Sequence, residues 1–201
     1  MVVGYVYASL LQVSVQKISS EDALRAATRL MQEGRAHAVK LEGGKEMVDT
    51  VRRIVSAGIP VMGHIGLQPQ SVLVDGGYKI KGRNKFDWAK FIDDARALEE
   101  AGAFSVVLEG MAEPLAAEIT ELVSIPTIGI GASSKCDGQI LVTEDMVGLT
   151  DISPKFVKQY INIGELIKDA AVQYRKEVIS REFPTKNHVY GMIPTIVKKE
   201  K

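Results

Sequence analysis

Cysteine, net charge and long apolar runs are scarce or absent in this 201-residue sequence. The single cysteine, Cys136, excludes an intramolecular disulfide and a two-cysteine metal knuckle. With 25 acidic against 25 basic residues, no overall charge draws the chain to nucleic acid or to an acidic membrane. No apolar run reaches the roughly 18 residues that a membrane span needs, and the start lacks the features of a secretory signal. We therefore predict an intracellular protein, cytoplasmic or mitochondrial, that binds a small ligand locally.

Strand and helix patterns alternate along the chain, whose length and 46% hydrophobic content are enough for one substantial core. We predict a single domain over residues 1–201 with a loose tail at 185–201. The predicted helices are 21–32, 46–57, 85–101, 114–123 and 154–180. The predicted strands are 36–41, 59–64, 104–108, 126–130 and 139–142, with one further strand within 2–15.

Strands that are apolar on both faces and alternate with helices predict a parallel sheet covered by helices. Polar groups follow four successive strands, at Glu42, His64, Glu109 and 129–132. A barrel builds its site from the ends of several strands, whereas an open doubly wound sheet concentrates ligands at one switch point. The distribution therefore favours an α/β fold of the (β/α)₈ barrel type.

Lys40 and Glu42 are two residues apart in a predicted strand, so they share one face, while Val39 and Leu41 point to the apolar layer. A charged pair on the inner face of such a strand is unfavourable unless a ligand, a metal or the pair itself satisfies it. The alternative is an ordinary salt bridge at an exposed strand end. Taken alone, the stretch leaves both interpretations open.

Glu109 follows the apolar residues 106–108 directly, where a carboxylate in a dry barrel mouth can act as a general base or acid. It could equally cap or pair with the next helix. His64 could orient or protonate a carbonyl oxygen, or it could be a satisfied core histidine. The turn at 129–132 resembles a phosphate-binding loop only weakly, because it lacks a third glycine and a following Lys-Ser/Thr.

Several long stretches in the right order resemble the ketopantoate hydroxymethyltransferase family, also called 3-methyl-2-oxobutanoate hydroxymethyltransferases. One is Lys-Leu-Glu-Gly-Gly at 40–44, and another is the long stretch 58–71, which contains His64. The resemblance runs from about residue 23 to residue 184. The remaining matching stretches are 76–83, 125–132, 137–142 and 154–158.

The resemblance implies a (β/α)₈ TIM barrel of the phosphoenolpyruvate/pyruvate type and a homo-oligomer, usually a decamer. The implied reaction transfers a one-carbon unit from 5,10-methylenetetrahydrofolate to 3-methyl-2-oxobutanoate and gives 2-dehydropantoate for pantothenate synthesis. Mg²⁺ is the implied cofactor, and it would bind the keto acid. By the family pattern Glu42 is a metal ligand, Lys40 and His64 contact the substrate, and Glu109 is the catalytic base.

The start of the chain departs from the family pattern. Relatives begin with two further strands, one of which carries a Gly-Asp-Ser motif, and their third strand ends in an Asp. Counting back from Lys40 places that Asp near Gln12, and no acidic residue occurs from 1 to 20. We therefore expect a barrel that is incomplete at its N-terminus, a non-matching start at 1–18 and weakened metal affinity. The hypothesis is a truncated or alternatively started product.

Two other functions remain open for this sequence. The chain could be a non-catalytic fragment or subunit that associates with an intact homologue through its helices. It could also be a phosphate-binding barrel of unrelated function, which depends only on the turn at 129–132.

Overall fold

The structure is a computed structural model that describes residues 10–12, 19–68, 79–150 and 154–191. It divides into two compact units, Met1–Leu141 and Val142–Lys201. The first unit contains a sheet and four α-helices in its described part, and the second contains two α-helices in its described part. Each unit is described by itself below.

One parallel sheet of six described strands forms the first unit. The strands are β1 Leu10–Gln12, β2 Ala38–Glu42, β3 Val61–Gly66, β4 Ser105–Glu109, β5 Thr127–Ile130 and β6 Gly138–Gln139. They pair in the order of the sequence, from β1 to β6. A doubly wound sheet reverses direction at a switch point, whereas sequential parallel strands are the arrangement of a (β/α) barrel. The prediction of an incomplete α/β barrel is therefore confirmed.

Four α-helices accompany this sheet: α1 Ser20–Gln32, α2 Val48–Ser56, α3 Trp88–Glu100 and α4 Glu113–Leu122. Short 3₁₀ helices at Lys45–Met47 and Lys85–Asp87 precede α2 and α3. Helix α1 starts where the sequence predicts, because the Ser19 side chain accepts a hydrogen bond from the Asp22 backbone N–H at 3.0 Å. These bounds agree with the predicted helices to within a few residues.

The core lies between the sheet and these helices, as apolar burial requires. Val39 and Leu41 of β2 are buried in it, on the face that the strand alternation predicts. Leu98 of α3 packs over Gly63 of β3, where a side chain would leave too little room. Other fully buried members are Val51, Ile54, Val61, Ile65, Val106, Leu108, Leu115 and Ile119.

The second unit contains α5 Thr143–Met146, α6 Ile163–Ser180 and a 3₁₀ helix at Lys186–His188. The long helix starts at Ile163 and not at Pro154 as predicted, because the Asn162 side chain accepts the Glu165 N–H at 3.1 Å and so caps the helix there. The predicted strand 139–142 is also too long, because the observed strand ends at Gln139. Helix α5 follows at Thr143.

The structure describes only part of two other predicted segments, the first strand and the C-terminal tail. The strand predicted within 2–15 is seen at Leu10–Gln12, and its other residues lie outside the described ranges. The tail predicted at 185–201 is described as far as residue 191. In the described part of the chain, no helix combines the length and the apolarity needed to cross a bilayer.

Candidate active site

Strand register brings the polar residues of β2, β3 and β4 to one end of the sheet. Glu42 is opposite His64, and Gly66 is opposite Glu109. Because side chains alternate along a strand, Lys40, Glu42, His64 and Glu109 all point to the same face. We call these four residues the charged cluster. The sequence placed them at neighbouring strand ends, and the structure brings them together.

Glu42 is a buried carboxylate and not part of a surface ion pair. It is 1% exposed. The Lys40 Nζ atom lies 3.8 Å from Glu42 Oε1, and the Lys40 side chain is 20% exposed. A carboxylate removed from water needs a positive partner or hydrogen bonds. Lys40 supplies that charge from the more exposed side of the pair.

His64 is fully enclosed, at 0% exposure, between the other three members of the cluster. Its Nδ1 atom is 3.0 Å from Lys40 Nζ and 3.6 Å from Glu42 Oε1. Its Nε2 atom is 3.1 Å from Glu109 Oε2. This contact does not count as a hydrogen bond, so Nε2 has no hydrogen-bond partner among the described residues. The ring therefore faces the Glu109 carboxylate without being held to it.

Burial and the neighbouring carboxylates have opposite effects on the pKa values of Lys40 and His64. Burial lowers the pKa of Lys40, and the charges of Glu42 and Glu109 oppose this effect without cancelling it. Burial, the largest influence, also lowers the pKa of His64, but the side chains of Glu109 and Glu42 leave it above its ordinary value. An ammonium group can only donate, so at 3.0 Å the Nδ1 atom of His64 accepts from Lys40. With Lys40 charged, the ring proton lies on Nε2, toward Glu109, whereas the raised pKa of His64 favours a second proton on the ring.

Two members of the charged cluster can be reached from outside. The Glu109 side chain is 18% exposed and the Lys40 side chain 20%, whereas Glu42 and His64 are sealed. A small molecule in this mouth would therefore touch Glu109 and Lys40 first. The role of His64 as a direct substrate contact stays a prediction, and so does the metal-ligand role of Glu42.

Asp94 on α3 is a buried acid that sequence reasoning missed. It is 6% exposed, and its Oδ1 atom accepts the backbone N–H of Lys45 at 2.9 Å. The spacing of Asp94 could have revealed it, because Phe91, Asp94 and Leu98 fall on one apolar helix face.

A cavity of about 130 Å³ adjoins Asp94 at the rim of the sheet. The cavity is lined by Gly44, Glu46, Ile65, Gly66, Gln68, Lys81, Lys90, Phe91 and Asp94.

The glycine turn at 129–132 has a packing role. A Cβ on Gly129 would lie 2.9 Å from the Gln139 side chain and 3.1 Å from Cys136 Sγ. Cys136 itself is buried in the core. The close packing of the Gln139 and Cys136 side chains therefore explains the glycine at 129 without a bound phosphate. His37 and His188, by contrast, are exposed.

A resident Mg²⁺ does not fit the described residues taken by themselves. Within residues 19–68, 79–150 and 154–191, no three His, Cys, Asp or Glu side chains are grouped closely enough to hold a metal ion. The one fully buried carboxylate of the cluster, Glu42, already faces the Lys40 ammonium and the His64 ring. A hard divalent cation prefers several oxygen ligands. The described residues therefore do not form a Mg²⁺ site by themselves.

Comparison with known proteins identifies the family. The family model described as ketopantoate hydroxymethyltransferase matches residues 5–186. The chain belongs to the ketopantoate hydroxymethyltransferase family. The match starts at residue 5, within the segment 1–18 for which the sequence shows no resemblance to the family's opening strands.

Curated members of the ketopantoate hydroxymethyltransferase family are close relatives of this chain. It is 57% identical over 174 residues to the 3-methyl-2-oxobutanoate hydroxymethyltransferase of Mesorhizobium japonicum, covering 86% of this chain and 61% of the relative. It is 53% identical over 174 residues to the protein of the same name from Parvibaculum lavamentivorans, covering 87% of this chain and 64% of the relative. The chain therefore spans a little over three fifths of the length of these relatives.

A solved structure also resembles the chain, at a much lower level. It is a putative lyase/mutase from Burkholderia cenocepacia J2315, with 15% identity, a TM-score of 0.43 and coverage of 85% of this chain and 60% of that one. A likeness this weak supports no statement about function.

Proposed function

We propose that the chain carries out the hydroxymethyl transfer of its family, from 5,10-methylenetetrahydrofolate to 3-methyl-2-oxobutanoate, to form 2-dehydropantoate in pantothenate synthesis. The observation that supports the proposal best is the partly exposed Glu109 carboxylate, whose Oε2 atom lies 3.1 Å from the enclosed His64 ring. A carboxylate held at the open end of a parallel strand is suited to remove a proton from a bound keto acid.

The first step is proton removal at C3 of the keto acid. Glu109 takes the proton, and the electron pair of the C–H bond remains on the substrate as an enolate. Water cleaves both carbon–nitrogen bonds of the 5,10-methylene bridge, which releases the one-carbon unit as formaldehyde and leaves tetrahydrofolate. The enolate carbon then forms a bond to the formaldehyde carbon. The formaldehyde oxygen, which comes from water, takes up a proton and becomes the hydroxyl group of 2-dehydropantoate. The family membership supports this reaction, and the folate co-substrate is part of the proposal.

Lys40 and His64 have separate tasks in this scheme. The partly exposed ammonium of Lys40 faces the mouth and is suited to attract the negative charge of the keto acid. The sealed His64 ring is better suited to act on Glu109 than on the substrate, because Lys40 fixes its Nδ1 atom and its Nε2 atom faces Glu109.

Mg²⁺, a homo-oligomer such as a decamer, and an intracellular location complete the family-based proposal. The described residues contribute one carboxylate, Glu42, that could meet a cation only together with other ligands. Both relatives above are bacterial proteins, which gives no support to a mitochondrial location. The alternative is a non-catalytic subunit that associates with an intact homologue, and the coverage of the relatives is the observation that keeps it open.

Product formation tests the proposal. The purified chain is incubated with 3-methyl-2-oxobutanoate, 5,10-methylenetetrahydrofolate and Mg²⁺, and 2-dehydropantoate is quantified by chromatography. We expect product from the chain, and a rate lower by about 10²- to 10⁴-fold in Glu109→Gln, which keeps the size of the side chain and removes the base. An absence of product, together with an increase in molecular mass when an intact homologue is added in size-exclusion chromatography, would support the subunit alternative instead.

A further inference from the structure

The buried carboxylate of Asp94 connects two distant parts of the chain. It belongs to α3, yet its hydrogen bond at 2.9 Å is to the Lys45 N–H, 49 residues earlier. Lys45 lies in the loop that follows β2, three residues after Glu42. An acid on the apolar face of a helix is unfavourable unless its oxygen atoms meet donors. The loop after β2 supplies that donor.

The backbone of the same loop packs closely against the Asp94 carboxylate at Gly44. Gly44 has no room for a side chain, because an added Cβ would collide with the Asp94 carboxyl carbon and oxygens. Gly43, one residue earlier, donates its N–H to the backbone carbonyl of His64 at 3.0 Å. The loop is therefore held by α3 on one side and by β3 on the other.

These contacts place the loop beside the charged cluster. Glu42 immediately precedes Gly43, and its Oε1 atom is 3.6 Å from His64 Nδ1. A loop that moved away from Asp94 would release the Gly43 contact with the His64 carbonyl and shift Glu42 relative to the ring. A second acid next to Asp94 has a different role, because Asp93 pairs with the Lys45 side chain at 2.8 Å on the surface.

We infer that Asp94 is a positioning residue, which sets the geometry of Glu42 and His64 by holding the Gly43–Lys45 loop against α3. The inference rests on the proposed function, because His64, which Asp94 positions together with Glu42, lies 3.1 Å from the proposed base Glu109. Asp94 acts through the loop and does not touch the charged cluster itself. Its neighbour Asp93 provides a matched control in the same helix turn.

The test uses NMR of the full chain without substrate. Long-range ¹H–¹⁵N spectra report the side-chain nitrogens of the three histidines, and backbone amide exchange reports Lys45. We expect Asp94→Ala to move the His64 ¹⁵N resonances, to leave those of His37 and His188 in place, and to make the Lys45 amide exchange on the order of tenfold faster. Asp94→Asn keeps an oxygen acceptor, so it should retain the wild-type spectrum.

Two further variants keep the test decisive. Gly44→Ala pushes the loop off α3 with Asp94 intact, so it should move the His64 resonances in the same way even where Asp94→Ala does not fold. Asp93→Asn removes only the surface pair and should leave His64 unchanged. The inference is overturned by unchanged His64 resonances in Gly44→Ala, or by an equal shift in Asp93→Asn. Because the spectra need no turnover, the two failures are distinguishable: an unchanged His64 spectrum overturns this inference, whereas a failed product assay with a changed spectrum overturns the proposed function.

Discussion

Among single residues, Glu42 has the environment least favourable to charge, because it is a carboxylate with 1% exposure in the middle of the charged cluster. Its charge is compensated by Lys40 at 3.8 Å and approached by His64 at 3.6 Å. Removing one member of a buried pair leaves the other charge without compensation, which is more damaging than the loss of a surface pair. The stability of the site therefore depends on Lys40.

Replacing Lys40 with methionine tests this dependence. We expect Lys40→Met to lower the free energy of unfolding by about 3 kcal/mol, since it removes the cation that lies 3.8 Å from the buried carboxylate of Glu42. Lys45→Met is the control: its pair with Asp93 is shorter, at 2.8 Å, but exposed and screened by water, so the loss of stability should be much smaller. Urea unfolding of both variants gives the comparison. Equal losses would show that Glu42 does not need Lys40.

Asp94 should make the stability of the protein depend on pH. Burial raises the pKa of Asp94, and nearby Glu46 adds to the shift, while the Lys45 N–H and the charges of Lys90 and Lys45 oppose it. An acid whose folded-state pKa is raised contributes stability below its unfolded pKa, and this contribution is lost as the pH rises through the folded pKa.

We therefore expect wild type to lose stability relative to Asp94→Asn as the pH rises above the ordinary aspartate value of about 3.9. Urea unfolding of both proteins at several pH values from mildly acidic to neutral measures the difference. A difference that stays constant over this range would mean that Asp94 has the same pKa in the folded and unfolded chain.

Among secondary-structure elements, β3 ends at a glycine that has no room for a side chain. Gly66 has a φ angle of +100°, and a Cβ there would collide with the backbone carbonyl oxygen of Glu109. That oxygen accepts the Leu67 N–H at 2.7 Å. Gly58, at the end of α2, also has a positive φ angle, +83°, but has open space around it.

The two glycines form a matched pair for mutation. We expect Gly58→Ala to lower stability by about 1 to 2 kcal/mol from backbone strain alone. Gly66→Ala should lower it by at least twice that amount, because the collision adds to the strain. Equilibrium unfolding measures both. A similar loss in the two variants would contradict the close packing of β3 against β4.

The helices and strands of the first unit could be predicted because burial fixes their periodicity. Helix α1 has a cap at Ser19 and an apolar face, so its bounds follow from the sequence. The start of α6 could not be predicted in the same way. This helix has no buried residue in the structure, so its apolar residues do not mark its first turn, and the Asn162 cap decides instead.

The candidate site was predictable to a similar extent. The grouping of Lys40, Glu42, His64 and Glu109 follows from strand ends and the alternation of side chains, which are local properties. The enclosure of His64 and the contact of Asp94 with Lys45 depend on packing between elements that are far apart in the sequence. Such contacts leave only a weak signal, here an acid on the apolar face of α3.

For the whole molecule, the charged cluster, the loop that holds it and all the described strands lie in the first unit. The family model nevertheless extends over residues 5–186 and so includes much of the second unit. The chain spans 61% and 64% of the two curated relatives. The proposed proton removal by Glu109 therefore involves described residues of the first unit alone.

Deuterium uptake at C3 of 3-methyl-2-oxobutanoate, followed by ¹H NMR in D₂O, tests that step without folate. We expect the 201-residue chain to exchange this proton faster than buffer. Glu109→Gln should lose the effect by about 10²- to 10⁴-fold. Glu113→Gln, a change at an exposed carboxylate that accepts a hydrogen bond from Ser133 at 2.9 Å, should exchange like wild type. Equal rates for the chain and Glu109→Gln, or for the chain and buffer, would contradict the assignment of Glu109 as the base.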